Sequence, residues 1–470
     1  MPEPSIHGLG HLSNQACSTI GSWLPFIAKP MHTLEQLRSG ALAGTRRLDL
    51  ACGLTELPHE VFELADTLEV LNLSGNRLHD LPHQLTRLHQ LKVLFASDND
   101  FEVLPEVLGD CPHLQVVGFK ANRIAQVPPD ALPPALRWLI LTDNALQALP
   151  NALGQRPALQ KLMLAGNQLT ALPDSLQAAQ KLELLRASAN RLTQVPDWLT
   201  ELPRLSWLAL AGNPFAWTLS GRQGASGDLP SVAWHGLTQG PLLGEGASGH
   251  IYQVQVPDWP QPLALKIFKG TVTSDGLPED ELAASLAAGQ HPTLTTPVAR
   301  LMCHPTQAQG LLMPLIPTAH VNLAGPPSLH TCTRDVYPPG FQPSPNLALG
   351  IAADVASALA HLHQRGVMHG DLYAHNILID PVHGQPQLGD FGAATRLSTQ
   401  PSDVRRDLLT LEVRALGCLL EELAAVTGAH TEHPAAQALH TWGQACLSEV
   451  PHQRPAVAEV AQALQVARRA

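Results

Sequence analysis

Leu159-Gln-Lys-Leu162-Met-Leu164-Ala-Gly-Asn167-Gln-Leu-Thr-Ala-Leu172-Pro173 is the stretch on which the fold turns. Its frame is L-x-x-L-x-L-x-x-N, closed a few residues later by Leu-Pro. The frame recurs through the first half of the chain. Asparagines stand at 76, 99, 122, 144, 167, 190 and 213, spaced by 22 or 23 residues. Leu-Pro or Val-Pro follows at 81–82, 104–105, 127–128, 149–150, 172–173 and 195–196. One period before Asn76 come Gly53 and Leu57-Pro58, a degenerate first copy of the kind that caps a repeat array. About eight repeats result, over residues 46–216. Each such unit cannot bury its apolar face alone, so neighbours must stack.

The spacing has a physical reading. The L-x-L pair fits a short strand whose alternate side chains point inward. The chain must then turn, which strands backbone amides and carbonyls; an Asn side chain both donates and accepts, so stacked Asn residues form a ladder. Proline suits the return segment, which lies outside the sheet. On the concave face Phe95, Trp138, Ile140, Met163 and Trp207 fall beside the middle Leu of their strands. They predict an open apolar surface that takes a protein partner, unless flanking loops or the second half cover them. Residues 1–45 read as an N-terminal segment ending in a short capping helix around Thr33-Leu-Glu-Gln-Leu-Arg38.

The chain has 470 residues, 44% of them hydrophobic, which suffices for several domains with real cores. Net charge is −11 and both halves are acidic, which argues against nucleic acid or an anionic membrane as partner. No apolar run in the sequence reaches the ~18–20 residues of a membrane span. Seven cysteines lie scattered with no C-x-x-C pair, which fits a reducing, cytoplasmic setting. The start, Met-Pro-Glu-Pro, lacks the basic residues of a secretory leader. Arg outnumbers Lys and Ala is abundant, as in GC-rich bacterial genomes.

After a Gly/Ser-rich linker, residues 217–231, a different logic begins. Gly244-Glu-Gly246-Ala-Ser-Gly249-His-Ile251 sits between two apolar stretches that read as hairpin strands. Glycines there let a backbone approach phosphates. Lys266 follows inside the apolar strand Leu263-Ala264-Leu265-Lys266-Ile267, where a buried ammonium needs a partner or ligand. A helical segment offers Glu281, or alternatively Glu279, as that partner. Farther on come His369-Gly-Asp371 with Asn376, and Asp390-Phe-Gly392. One carboxylate can steer a hydroxyl, while Asn376 and Asp390 supply the hard oxygens that Mg²⁺ prefers.

These five motifs in this order resemble the protein kinase family, and the first half resembles leucine-rich repeat proteins. The fold class expected is therefore multidomain: an α/β leucine-rich repeat solenoid, then a two-lobed α+β protein kinase-like fold over residues 232–470. The resemblance implies an ATP-dependent protein kinase for Ser or Thr, with Mg²⁺ and ATP as cofactors. It makes Asp371 the catalytic base, Lys266 the phosphate ligand paired with Glu281, and Asn376 and Asp390 the metal ligands. It puts Gly244, Gly246, Gly249, Ile251, Ala264, Met313, Pro314 and Ile316 around the nucleotide. The departures are equally specific. Gly370 replaces the Arg that clamps a phosphorylated activation loop, and Tyr373 replaces the usual Lys. Glu412 replaces an Asp. The interval from Asp390 to the next helix is short, and a Pro-rich insertion spans 325–345. These leave two alternatives: a pseudokinase-like binding scaffold, or a kinase for a small hydroxylated molecule.

Overall fold

The computed structural model describes residues 32–216, 229–245, 249–257, 259–269, 272–273, 275–428 and 432–469. Gly246, residues 1–31 and nearly all of the expected linker lie outside them. The described chain forms two compact units: residues 32–204 with 213–215, and residues 205–212 with everything from 216 onward.

The repeat unit opens with α1 (Leu34–Arg38), whose Thr33 and Gln36 side chains reciprocally cap its first turn. The parallel strands are three residues each: β1 (Arg47–Asp49), β2 (Val70–Asn72), β3 (Val93–Phe95), β4 (Val116–Gly118), β5 (Trp138–Ile140), β6 (Lys161–Met163) and β7 (Leu184–Arg186); β8 (Trp207–Ala209) has the same length and falls in the other unit. Register advances by one repeat per strand, Leu71 opposite Leu94 and Leu139 opposite Leu162, so the middle apolar residues stack in a fully buried row.

The asparagine ladder explains why the strands stay short. Asn167 Nδ2 donates to the carbonyls of Leu141 (2.8 Å) and Leu164 (2.9 Å), while its Oδ1 accepts from the Leu146 amide at 3.0 Å. Asn76, Asn99, Asn122, Asn144, Asn190 and Asn213 repeat the scheme. Each side chain thus bonds the preceding turn, and the six from Asn76 to Asn190 also close their own. The residue before each Asn is forced into the left-handed region. Glycine fills it at 75, 166 and 212, but Asp98, Ala121, Asp143 and Ala189 take it with φ of 52–58°. The prolines then start short 3₁₀ turns on the far side, from Pro58 before His59–Leu64 to Pro196 before Asp197–Glu201. These turns press close: a Cβ on Gly154 would meet the Ser175 carbonyl oxygen at 2.0 Å.

In the second unit the first lobe is a six-stranded sheet: β9 (Ser231–Ala233), β10 (Thr238–Glu245), β11 (Gly249–Gln255), β12 (Leu263–Phe268), β13 (Ala299–Met302) and β14 (Gly310–Pro314), in the order β10-β11-β12-β14-β13-β9. One face packs Val254, Val256, Leu263, Leu265, Ala299, Leu301 and Leu312 into a core. α2 (Pro278–Ala288) connects β12 to β13, with Pro278 starting its first turn. The second lobe is helical. α3 (Pro345–Gln364), α4 (Ser402–Val426), α5 (Pro434–Cys446) and α6 (Val457–Arg469) pack together, and short strands β15 (Val321–Asn322), β16 (Val367–Met368), β17 (Ile377–Ile379), β18 (Pro386–Leu388) and β19 (Thr395–Arg396) edge the cleft. α3 is the one described helix long and apolar enough to cross a bilayer by length and composition, yet 72% of its most apolar window is buried inside the fold, as befits a core helix.

The ladder makes a direct prediction. Asn167→Ala orphans three buried backbone groups and is expected to cost about 1–3 kcal/mol in urea unfolding. Ala189→Gly removes a left-handed Cβ and is expected to add up to about 1 kcal/mol. An unchanged midpoint for Asn167→Ala would mean that water replaces the ladder.

Candidate active site

Strand pleating assembles the upper wall of the cleft. Ala264 and Lys266 are two residues apart in β12 and so share a face. Their cross-strand partners are Met313 in β14 and Ile251 in β11, respectively. Four residues singled out in the sequence therefore line one surface, opposite the apolar core. Lys266 is 5% exposed, and its ammonium pairs with the Glu281 carboxylate from α2, itself 5% exposed. The structure thus selects Glu281 over Glu279. Burial works against the charge on Lys266, but the carboxylates of Glu281, Asp390 and Asp275 outweigh it and raise its pKa. The ammonium is held charged by three acids from three different segments.

The lower wall is the loop 369–376. Asn376 Nδ2 donates to Asp371 Oδ2 at 2.8 Å and to the Asp371 carbonyl at 3.0 Å. This fixes both side chains and leaves Asn376 Oδ1 as the acceptor atom. His369 Nε2 lies 3.0 Å from the Gly389 carbonyl and its ring packs on Phe391, so the loop is tied to Asp390-Phe-Gly392. Asp390 itself has φ of 57°, a left-handed backbone rare for a non-glycine residue and a mark of functional sites. Beneath the loop, buried Glu412 of α4 accepts from the amides of Gly370 (2.6 Å) and His369 (3.2 Å) and lies 2.8 Å from His363 Nε2. Burial opposes its ionisation, yet the His363 hydrogen bond, the histidine charges and the Gly370 amide hold its pKa below the ordinary carboxylate value. The longer Glu reaches two loop amides at once.

Between the walls, Lys266, Glu281, Asn376 and Asp390 line one end of a cavity. Gly244, Ile251, Ala264, Met313, Pro314 and Ile316 line the adjoining end. Leu378, Asn322 and Thr295 line both. Sequence reading missed Leu378, although its place two residues past Asn376 in an apolar strand was the available signal. Pro314 has no amide hydrogen, so only its carbonyl can meet a ring edge. Gly249 sits in β11, where a Cβ would lie 2.4 Å from the Ile267 carbonyl oxygen; strand approach alone requires that glycine. Gly246 lies outside the described residues. Among the described residues no group of three or more His, Cys, Asp or Glu side chains could hold a metal alone. Two oxygen donors, Asn376 and Asp390, fit a Mg²⁺ that keeps waters and arrives with a polyphosphate.

The concave row of the repeats needs correction. Trp138 and Ile140 are half-buried, but Phe95 is 8% and Met163 4% exposed. The Phe95 ring packs against Gly118, whose missing Cβ leaves it room, and Met163 Sδ accepts from the Trp138 indole at 3.4 Å. The row tiles itself. Lys161 stands over the Trp138 ring at 4.6 Å. Trp207 is 1% exposed and belongs to the second unit, where it stacks on Tyr373. It is no part of an open surface.

Glu412 yields a pH prediction. A carboxylate with a depressed folded pKa stabilises the fold above its unfolded value of about 4.3 and loses that contribution as pH falls through the folded value. Wild type is expected to exceed Glu412→Gln by about 1–3 kcal/mol at pH 7 and 5. The gap should shrink at pH 3.5 in urea titrations. A gap that persists there would show that shape, rather than charge, holds the loop.

Residues 237–419 match the family model for the protein kinase domain, and residues 43–101 and 157–215 match that for the leucine rich repeat. The DNA damage-responsive serine/threonine-protein kinase of Deinococcus radiodurans is 32% identical over 178 residues, 36% of this chain and 24% of that one. A serine/threonine-protein kinase of Bacillus subtilis is 37% identical over 97 residues, 17% of this chain and 15% of that one. A human PH domain leucine-rich repeat-containing protein phosphatase is 33% identical over 92 residues, 19% of this chain and 5% of that one. The chain thus spans at most 24% of the length of these relatives. Sequence frame, fold and family models agree: the chain carries leucine-rich repeats followed by a protein kinase domain.

Proposed function

We propose that this protein transfers the γ-phosphoryl group of ATP to a Ser or Thr hydroxyl of another protein, in a cytoplasmic setting. The observation that carries the reading is the buried Lys266–Glu281 pair in one cavity with Asn376 and Asp390, above a loop in which Asn376 orients Asp371. Glu281 keeps the Lys266 ammonium where it meets nucleotide phosphates. Asp371 accepts the hydroxyl proton as the new oxygen–phosphorus bond forms and the bond to the departing ADP oxygen breaks. Mg²⁺, held by Asp390 and Asn376, would neutralise charge on the phosphates. Serine/threonine kinases among the similar proteins support the acceptor type.

The repeat array is proposed to recruit the acceptor protein, with Trp138 and Ile140 as the accessible remainder of its apolar row. Trp138→Asp should weaken phosphorylation of a native acceptor at limiting concentration while leaving turnover of a short peptide unchanged. Equal losses on both would count against recruitment. The short run from Asp390 to α4 at Ser402 favours a second reading, a nucleotide-binding scaffold without turnover.

One assay separates these. Purified protein with Mg²⁺ and γ-labelled ATP is expected to phosphorylate a generic protein acceptor, and Asp371→Asn or Lys266→Met should lower transfer by at least about 10²-fold. Nucleotide-dependent thermal stabilisation with no transfer decides for the scaffold. Transfer to a small alcohol but to no protein would place the enzyme among small-molecule kinases.

A further inference from the structure

Residues 205–212 carry the frame of the last repeat, Leu205-x-x-Leu208-x-Leu210, yet they pack in the same compact unit as the catalytic loop. Their contacts fall on the machinery itself. The Trp207 indole lies parallel to the Tyr373 ring, centroids 4.3 Å apart and planes 8° off. Its N–H donates to the Leu372 carbonyl at 2.9 Å. The Leu210 amide donates to Thr395 Oγ1 at 3.1 Å, and Arg414 of α4 donates to Ser206 Oγ at 2.9 Å. Leu372 and Tyr373 directly follow Asp371; Thr395 stands in β19, the strand of the activation segment. The Tyr373 ring also lies 5.0 Å from the His375 ring, tilted by 36°, and His375 Nδ1 lies 2.7 Å from Asp335 in the Pro-rich insertion. A chain of contacts Trp207–Tyr373–His375–Asp335 therefore runs through the catalytic loop.

The replacement of Arg by Gly370 belongs to the same arrangement. Gly370 has φ of 75°, and a Cβ there would lie 2.5 Å from the Leu208 carbonyl oxygen and 2.7 Å from that of Ala393. Any side chain would drive residues 205–212 off the loop. The space that an arginine at 370 would enter first is taken by backbone.

We propose that residues 205–212 are a built-in strap, and that Trp207 is a positioning residue which, through Leu372 and Tyr373, holds Asp371 in its catalytic arrangement without activation-loop phosphorylation. This deepens the protein kinase reading and rests on it. The strap supports the assembled state: in the same unit Lys266 is paired with Glu281, Asn376 is bonded to Asp371, and β16 is paired with β19. Thr395, fully buried and bonded to the strap, is an anchor and not a phosphorylation site.

The test uses the full chain with Trp207→Ala, Trp207→Phe and Thr395→Val. Amide hydrogen exchange over residues 369–376, calorimetric affinity for Mg·ATP, thermal melting, and transfer from γ-labelled ATP to myelin basic protein are measured. Trp207→Ala is expected to lower kcat about tenfold and to speed exchange of the loop about tenfold, with ATP affinity within about threefold of wild type. Trp207→Phe, which keeps the stacked ring, should recover most of the turnover. Thr395→Val keeps the volume, loses one anchor, and should shift both readouts the same way by less; it decides the matter if Trp207→Ala does not fold. Faster transfer by Trp207→Ala would overturn the proposal in favour of an autoinhibitory strap. Unchanged loop exchange would overturn it as well. If wild type transfers nothing, the kinase reading fails, and the exchange measurement still decides whether the strap holds the loop.

Discussion

The Lys266–Glu281 pair is the interaction on which the kinase-domain half depends. Two opposite charges almost fully removed from water are costly apart and tolerable only together. One sits in the middle of a sheet and the other in the first turn of α2, so the pair fixes where that helix lies. Asp390 and Asp275 add their charge to the same ammonium, which couples the position of the helix to the segment that carries Asp390. The upper lobe is organised by this one electrostatic knot. Its apolar face merely fills the volume behind it.

A second buried acid plays the matching part below. Among the described residues Glu412 has His363 alone at ion-pair distance, but it satisfies two consecutive amides of the catalytic loop. A backbone run with both amides taken from beneath cannot relax toward a strand or helix. The glycine at 370 allows that run to turn with positive φ, and the same missing side chain admits the backbone of residues 205–212 from above. Departures from the kinase pattern that looked independent in the sequence, Gly370, Tyr373 and Glu412, are contacts in one small volume.

The repeats were legible in detail because their signal is local and periodic. Each Asn stands in a fixed frame with its partners one repeat away, and the ladder of hydrogen bonds follows from spacing alone. The strand Lys, the loop Asp and Asn, and the Asp390 motif were legible for a similar reason: each chemistry leaves its mark within a few residues. Choosing Glu281 over Glu279 required the rotation of α2, which two acids two residues apart in one helix turn do not disclose. The concave row was misread at Phe95, Met163 and Trp207 because exposure is a property of what lies above a residue. Gly118 made room for Phe95, and Trp207 is covered by Tyr373, a residue 166 positions away in sequence. Asp335 was equally invisible, since an insertion has no frame that says what it touches.

The burial of α3 has a bearing on how the protein is made. A twenty-residue helix with the hydropathy of a membrane span stays harmless only while α4, α5 and α6 cover it. Its most extensive cover, α6, leaves the ribosome long after α3 has emerged. Through that interval the nascent chain carries an apolar rod without its full cover, the kind of transiently exposed surface that makes partly folded chains prone to aggregate.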